Sequence, residues 1–384
     1  MKDLFLEGSQ ALMRNVVLSF FICTSLATHA AYNIKVKIGS KKRRVEVSGT
    51  DITRSIIPLK NKKSFSGRKS FKFNCQTLNK SQKKESIHLA SLTSKTGLIT
   101  FDNKKYLGNI HVVTSKNNES CDVVNEINID QYISSLLSKE MNSSWPIEAL
   151  KAQAVAARTY ALNKMNKVDR TGFYHLENSE KHQVNGDFFD VTMKTLKAAK
   201  QTAGYVLKNS KGQLVPAFFH ASCGGRTLKP NEVWSNKVHG YHKGVNCQHC
   251  KTRSNWQKGI ALKRFRLFLR WLKRNDIVRI KSVHKPITFL RGKPESKSLR
   301  IRIAGKTYKI RKSYLRRYFG RVEFSSNNFY LADSNKKEVF FVGKGRGHGV
   351  GMCQVGAKAL AQRGWSYQKI LSHYFPDLKI KRVY

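Results

Sequence analysis

From Ile34 to about Val124 the apolar residues come in short alternating runs, "IKVKI", "RVEVSG", "GLITFD" and "NIHVVTS", separated by clusters of Lys, Ser, Asn and Gly. Successive side chains of a strand point to opposite faces, so a period of two predicts a β-rich portion. At "INIDQYISSLLSKEM" the period changes. Ile133, Leu136, Leu137 and Met141 fall on one helical stripe, with Asp130 as the expected N-cap. A break at "NSS" is followed by "WPIEALKAQAVAARTYALNKM", a second helix with Pro146 in its first turn and Glu148 complementing the dipole. Its Ala149, Ala152 and Ala156 permit close backbone approach. A third helix is expected through "DVTMKTLKAAKQTAG", then strands in "YVLKN" and "LVPAFFHAS". Beyond them lies a basic helix, "ALKRFRLFLRWLKRND", with Leu262, Phe265, Leu269 and Leu272 on one side, and strands such as "LRIRIAG" and "TYKIRK". The chain closes with a glycine-dense loop, "GKGRGHGVG", and two short helices. The pattern predicts an α+β fold with a β-rich N-terminal portion and a mixed helical and strand core. The expected portions are a leader at 1–30, the β-rich part at 31–125, the core with its active-site helix at 126–250, a basic helix and strand part at 251–340, and a C-terminal part at 341–384 that completes the core.

Lys and Arg outnumber Asp and Glu by 72 to 24 in 384 residues, a net charge of +48. Such a chain is attracted to polyanions: nucleic acid, an anionic membrane surface or an acidic polymer. The first thirty residues discriminate among these. Met13 and Arg14 precede "NVVLSFFICTSLATHA", an apolar run ending in small residues before Ala31, which reads as a secretory signal peptide too short for a membrane span of about 20 residues. Asp3 and Glu7 are foreign to such a leader and make Met13 an alternative start. Export argues against nucleic acid as the working partner, leaves no transmembrane segment in the mature chain, and places it in the periplasm or cell envelope. Of seven cysteines, Cys23 falls in the leader, so six enter an oxidising compartment where disulfides form.

The candidate for chemistry is Glu140. It shares the apolar stripe of Ile133, Leu136 and Leu137 near a helix C-terminus, where desolvation and the dipole disfavour the ionised form, as a general acid requires. The competing reading is an early-fraying helix with Glu140 in water beside Lys139 or Lys151. The alternate glycines from Gly343 to Gly351 allow close approach of a ligand, and Arg346, His348 and Gln354 are expected to line a groove there. Cys223 in "FFHASCGGRT" and Cys247 with Cys250 in "VNCQHC" are compatible with zinc, with His220, His239, His242 and His249 nearby; a disulfide competes equally. A Cys/His nucleophile at Cys223 or Cys353 ranks lower, because no orienting acid can be placed.

Three blocks, "EMNSSWPIEALKAQAVAARTYAL", "FFHASCGGRT" and "GRGHGVGMCQVGAKALAQRGWSYQKILSHYFP", resemble the signature blocks of the stage II sporulation protein D family, which includes amidase enhancers. The resemblance covers roughly residues 33 to 384. It implies a lytic transglycosylase that cuts peptidoglycan glycan strands between N-acetylmuramic acid and N-acetylglucosamine and leaves 1,6-anhydro ends, with Glu140 as the single acid and base. It implies no required cofactor, and substrate contacts at Arg158, Ser222, Gly224, Arg346, His348 and Gln354. The family's zinc loop corresponds to "FYHLENSEKHQVNGD", which has His175 and His182 but no cysteine; the other candidate zinc set is Cys223, Cys247 and Cys250. Arg346 stands where the family more usually has Trp. The alternative function is a non-catalytic murein binder that enhances an amidase.

Overall fold

The computed structural model describes residues 32–75, 86–114, 119–167, 172–178, 188–234, 243–250, 255–292 and 296–384. The expected leader at 1–30, and His182, His239 and His242, lie outside the described residues.

The alternating N-terminal runs form β1 (Asn33–Lys42), β2 (Arg44–Ile56), β3 (Asn61–Asn74), β4 (His88–Ser94), β5 (Leu98–Phe101), β6 (Lys104–Leu107), β7 (Asn109–Thr114) and β8 (Cys121–Asn128). They pair antiparallel in the order β6-β5-β2-β4-β7-β8-β1, with β3 on β2, and β9 (Leu176–Glu177) adds in parallel beside β1. The period of two now has a destination: Val45, Val47, Leu92, Ile110, Val112 and Val123 point into one apolar cluster while Arg44 and Glu46, on either side of Val45, face out. A disulfide between Cys75 and Cys121 ties the end of β3 to the start of β8.

β8 runs directly into α1 (Ile129–Glu140), and a turn leads to α2 (Ile147–Met165). Asn128, not Asp130, caps α1: its side-chain oxygen accepts from the N–H of Asp130 at 2.9 Å and of Gln131 at 3.4 Å. Asp130 sits inside the first turn, where it is free to hold Arg158. α2 is buried nearly all round, from Ala149 to Asn163. Its alanines let α1, α3 (Met193–Gln201), β10 (Tyr205–Lys208) and the C-terminal helices pack on every side. β11 (Phe219–His220) and the one-turn α4 (Pro230–Val233) follow.

The 251–340 part folds as β12 (Asn255–Ala261), α5 (Leu262–Arg274), β13 (Ile287–Leu290), β14 (Ser298–Ile303), β15 (Lys306–Arg311), α6 (Lys312–Phe319), β16 (Phe329–Ser334) and β17 (Glu338–Lys344). Phe265, Phe268, Leu269 and Leu272 of α5 bury in a cluster with Ile301, Phe324 and Phe341, so the apolar face of this basic helix is used internally. β12 pairs with β17, and β13-β14-β15 make a second small sheet. β18 (Met352–Cys353), α7 (Gln354–Gln362), α8 (Tyr367–Tyr374) and β19 (Lys379–Arg382) return to the centre, β18 beside β11 and β19 beside β10. The result is an α+β fold. Among the described residues no helix is long and apolar enough to cross a membrane.

Candidate functional site

Glu140 is the last residue of α1. The next residue, Met141, turns to extended backbone and is 3% exposed, so the chain is anchored where the helix stops. Asn142 then closes the turn, its side chain accepting from the N–H of Ser144 at 2.8 Å and its carbonyl from that of Trp145 at 3.0 Å. This holds the Glu140 side chain half-buried at the edge of a cleft of about 1230 Å³. Tyr132, two turns back and fully buried, is pushed well above the ordinary tyrosine range, first by burial and then by the charge of Glu140. The two lysines nearest Glu140 in the sequence are paired with other acids. Lys139 meets Asp190 at 2.6 Å and Lys151 meets Glu148 at 2.7 Å. Glu148 also accepts the Tyr367 N–H at 2.7 Å, tying α2 to the start of α8.

The facing wall is the glycine-dense loop. Its backbone is laced to two other segments: Ser222 and Arg346 exchange N–H to carbonyl bonds at 3.0 and 2.7 Å, Gly347 N–H reaches Ser325 at 2.8 Å, and Met352 N–H reaches Phe218 at 3.0 Å. Such lacing leaves little room for a Cβ at the glycines. Gly347 has φ +105 and a Cβ there would press on His220; Gly351 has φ +75 and a Cβ would strike the Phe218 carbonyl. Arg346 and His348 are thereby presented to the cleft. His348 Nδ1 accepts the Val350 N–H at 3.1 Å, and burial, followed by the neighbouring His220, holds its pKa well below the usual value. His220 donates from Nδ1 to the Val350 carbonyl at 3.1 Å, is pushed down to about 4 by burial, and its Nε2 has no hydrogen-bond partner. Both rings are neutral near pH 7. Trp234 and Phe218 complete an aromatic wall, 4.6 Å apart, with Trp234 5.3 Å from His348. Arg316, Arg317 and Asn327 enter the cleft from the 251–340 part.

Of the substrate contacts expected from sequence, Arg346 and His348 share the cleft with Glu140. The other four do not line it. Arg158 has no exposed surface and bonds Asp130 at 2.7 Å and the carbonyls of Tyr205 and Ala199 at 3.3 and 3.2 Å, so it is an internal strut of α2. Ser222 is buried behind Arg346 as its backbone partner. Gly224 has φ +73 and packs on Lys344; Gln354 is 5% exposed, its amide 3.5 Å from Gln153. His175 accepts the Lys35 N–H on Nδ1 at 3.0 Å and is held against β1. Sequence reasoning passed over Trp234, Arg316 and Asn327, and named His220 only as a neighbour of the cysteines. His220 lay in a quoted block, but the arginine and asparagine come from a part that sequence alone gave no reason to fold over Glu140.

Behind the glycine loop, Cys223, Cys247 and Cys250 meet, and Cys353 joins them as a fourth. Hydrogen bonds from neighbouring thiols favour the thiolate at Cys250 and Cys247, and Cys353 is driven up by burial.

A family model described as stage II sporulation protein matches residues 117–208, which contain β8, α1 and α2. Over 286 residues the chain is 32% identical to an uncharacterized protein of Brachyspira hyodysenteriae, covering 73% of each. The chain belongs to the stage II sporulation protein D family. It is also 31% identical over 329 residues to the amidase enhancer of Bacillus subtilis, a match that covers 74% of this chain and 45% of that protein. With the stage II sporulation protein D of Bacillus amyloliquefaciens the identity is 25% over 278 residues, covering 68% and 76%. The family match includes Glu140 but not the glycine loop, the four clustered cysteines or Arg316, which the fold brings to it from outside residues 117–208.

Proposed function

We propose that the protein is an exported lytic transglycosylase acting on peptidoglycan glycan strands, with Glu140 as its single general acid and base. The observation that carries this reading is that Glu140 is the one carboxylate among the described residues lining the cleft. Hydrolysis of a glycosidic bond by the usual routes takes two carboxyl groups. A single one suffices when the nucleophile belongs to the substrate. Glu140 gives its proton to the N-acetylglucosamine O4 as the C1–O4 bond breaks. The resulting carboxylate then takes the proton of the muramic acid O6 hydroxyl as the C1–O6 bond forms, returning Glu140 to its starting state. The Trp234 and Phe218 wall offers sugar rings an apolar face, and Arg346 and Arg317 offer positive charge to the carboxylates of the wall polymer. The Cys75–Cys121 disulfide supports a workplace in an oxidising compartment such as the periplasm or envelope.

The 31% identity to an amidase enhancer supports a second reading, a non-catalytic module that binds murein and stimulates a partner amidase. One variant separates the two. Glu140→Gln keeps shape but cannot deliver a proton, and should lower release of anhydro-ended fragments from purified glycan strands by about 10²- to 10⁴-fold, read by mass spectrometry, with binding to sacculi retained. Anhydro-ended products at the normal rate would remove Glu140 from the chemistry. No such products from the parent protein, with amidase stimulation intact in the variant, would establish the second reading.

A further inference from the structure

Four cysteines from three stretches of chain converge behind the cleft wall. Cys223 follows β11, Cys247 and Cys250 flank a short helical turn, and Cys353 is the N-cap of α7. Each is at most 2% exposed, and the four sulfurs all lie within 4.8 Å of one another. Cys250 Sγ is 3.5 Å from Cys247 Sγ and 3.3 Å from Cys353 Sγ. Thiolates at about 2.3 Å around a tetrahedral zinc stand about 3.8 Å apart, so this spread suits one ion in their midst. It is far from the sulfur separation of a disulfide, about 2.0 Å. The same chain bonds Cys75 to Cys121, whereas these four are thiols.

The surroundings suit a buried negative centre. Backbone N–H groups of Cys223 and Gly356 point at Cys353 Sγ at 3.3 and 3.4 Å, and the Tyr374 hydroxyl lies 3.2 Å from Cys247 Sγ. Cys353 also sits at the positive end of the nine-residue α7. Gly356 is glycine for a reason at this spot: a Cβ would strike both the Tyr374 hydroxyl and the Cys247 sulfur. Outer-shell partners of this kind orient metal ligands and are part of a site.

We propose that Cys223, Cys247, Cys250 and Cys353 form a closed four-thiolate site for Zn²⁺. Binding displaces to solvent whatever protons the four sulfurs still carry and leaves a buried dianionic centre. Because protein fills every ligand position, no place is left for a reactive water, and the role is structural. The ion clamps β11 and β18, from which His220 and the glycine loop reach the cleft, to the turn at 247–250. This assignment is separate from the His175 and His182 loop and holds whether or not Glu140 performs chemistry.

The test uses the full chain, purified under mild reduction and dialysed against Zn²⁺. One zinc per chain is expected by elemental mass spectrometry, released as four thiols are titrated with a mercurial. Replacement by Co²⁺ should give the visible and thiolate charge-transfer bands of a tetrahedral sulfur site. Cys353→Ser should weaken and shift these bands, and His175→Ala should leave them unchanged. Where Cys353→Ser does not fold, the parent Co²⁺ spectrum and thiol count decide the matter. A disulfide between any two of the four, substoichiometric zinc in the reduced folded protein, or an unaltered Co²⁺ spectrum in Cys353→Ser would overturn the assignment.

Discussion

Replacing Asp130 by Asn tests whether Arg158 is a strut inside the fold. Arg158 is entirely buried, its Nη2 and Nε 2.7 and 2.9 Å from Asp130 Oδ1 and its Nη1 and Nη2 on the Tyr205 and Ala199 carbonyls. The Asp130 side chain is 23% exposed and can hydrate by itself, so the group stranded by the change is the arginine. Removing one partner of a buried ion pair costs about 3–5 kcal/mol. Two carbonyls still serve Arg158 and the Asn amide oxygen can accept one N–H, which puts the loss at the lower end, about 3 kcal/mol, or about two decades in the folding equilibrium. Arg158→Met has a smaller effect, about 1–2 kcal/mol, because it strands no charge and leaves only unpaired acceptors. Urea unfolding followed by circular dichroism at constant ionic strength reads both, as shifted midpoints with an unchanged slope. Sacculus binding per folded molecule should be untouched. The reasoning is refuted if Asp130→Asn costs less than about 1 kcal/mol, or if Arg158→Met unfolds normally yet no longer binds the polymer.

The disulfide and the neutral histidines give two more checks. Cys75 and Cys121 are 46 residues apart, and opening a loop of that length by replacing both with Ala should cost up to about 4 kcal/mol, visible as a lowered urea midpoint; an unchanged midpoint would deny the bridge a stabilising role. His220 is held at about 4 and His348 well below the usual value, so an unfolded chain binds protons near pH 6.5 that the folded chain refuses. Stability from this source is complete above about pH 6.5 and is lost as pH falls toward 4. Melting temperature should therefore decline from pH 7 to 5, with a shallower slope in His220→Gln; a flat profile in the parent protein would contradict the buried neutral state.

Local periodicity made the strands of the N-terminal sheet, the α1 and α2 pair and the glycine loop legible, because each depends on neighbours a few residues away. Glu140 was legible for the same reason: an acid on an apolar stripe is a local anomaly. Arg158, expected in the groove from the family resemblance, is internal instead, because α2 is covered on all its faces. Asp130 was misread as the cap because Asn128, two residues earlier, has the same capping chemistry and its own strand context hid it. Cys353 was set apart from the other three thiols since 103 residues separate it from Cys250, and only the parallel pairing of β11 with β18 closes that distance. Arg316 and Asn327 needed the same long-range information.

The pairing of β12 with β17 has a topological consequence. Asn255 faces Lys344 and Ala261 faces Glu338, so the 76 residues between Ala261 and Glu338 leave this ladder and come back to the same doorstep. That excursion is a closed parenthesis in the chain. An antiparallel ladder closes it at the base, and Ser325 within it also accepts the Gly347 N–H of the glycine loop. The residues it lends to the cleft are Arg316, Arg317 and Asn327, whereas Glu140 and the glycine loop lie outside the parenthesis in sequence. On the proposed function, part of the polymer-binding surface and the cleaving acid are therefore carried by separate stretches of sequence.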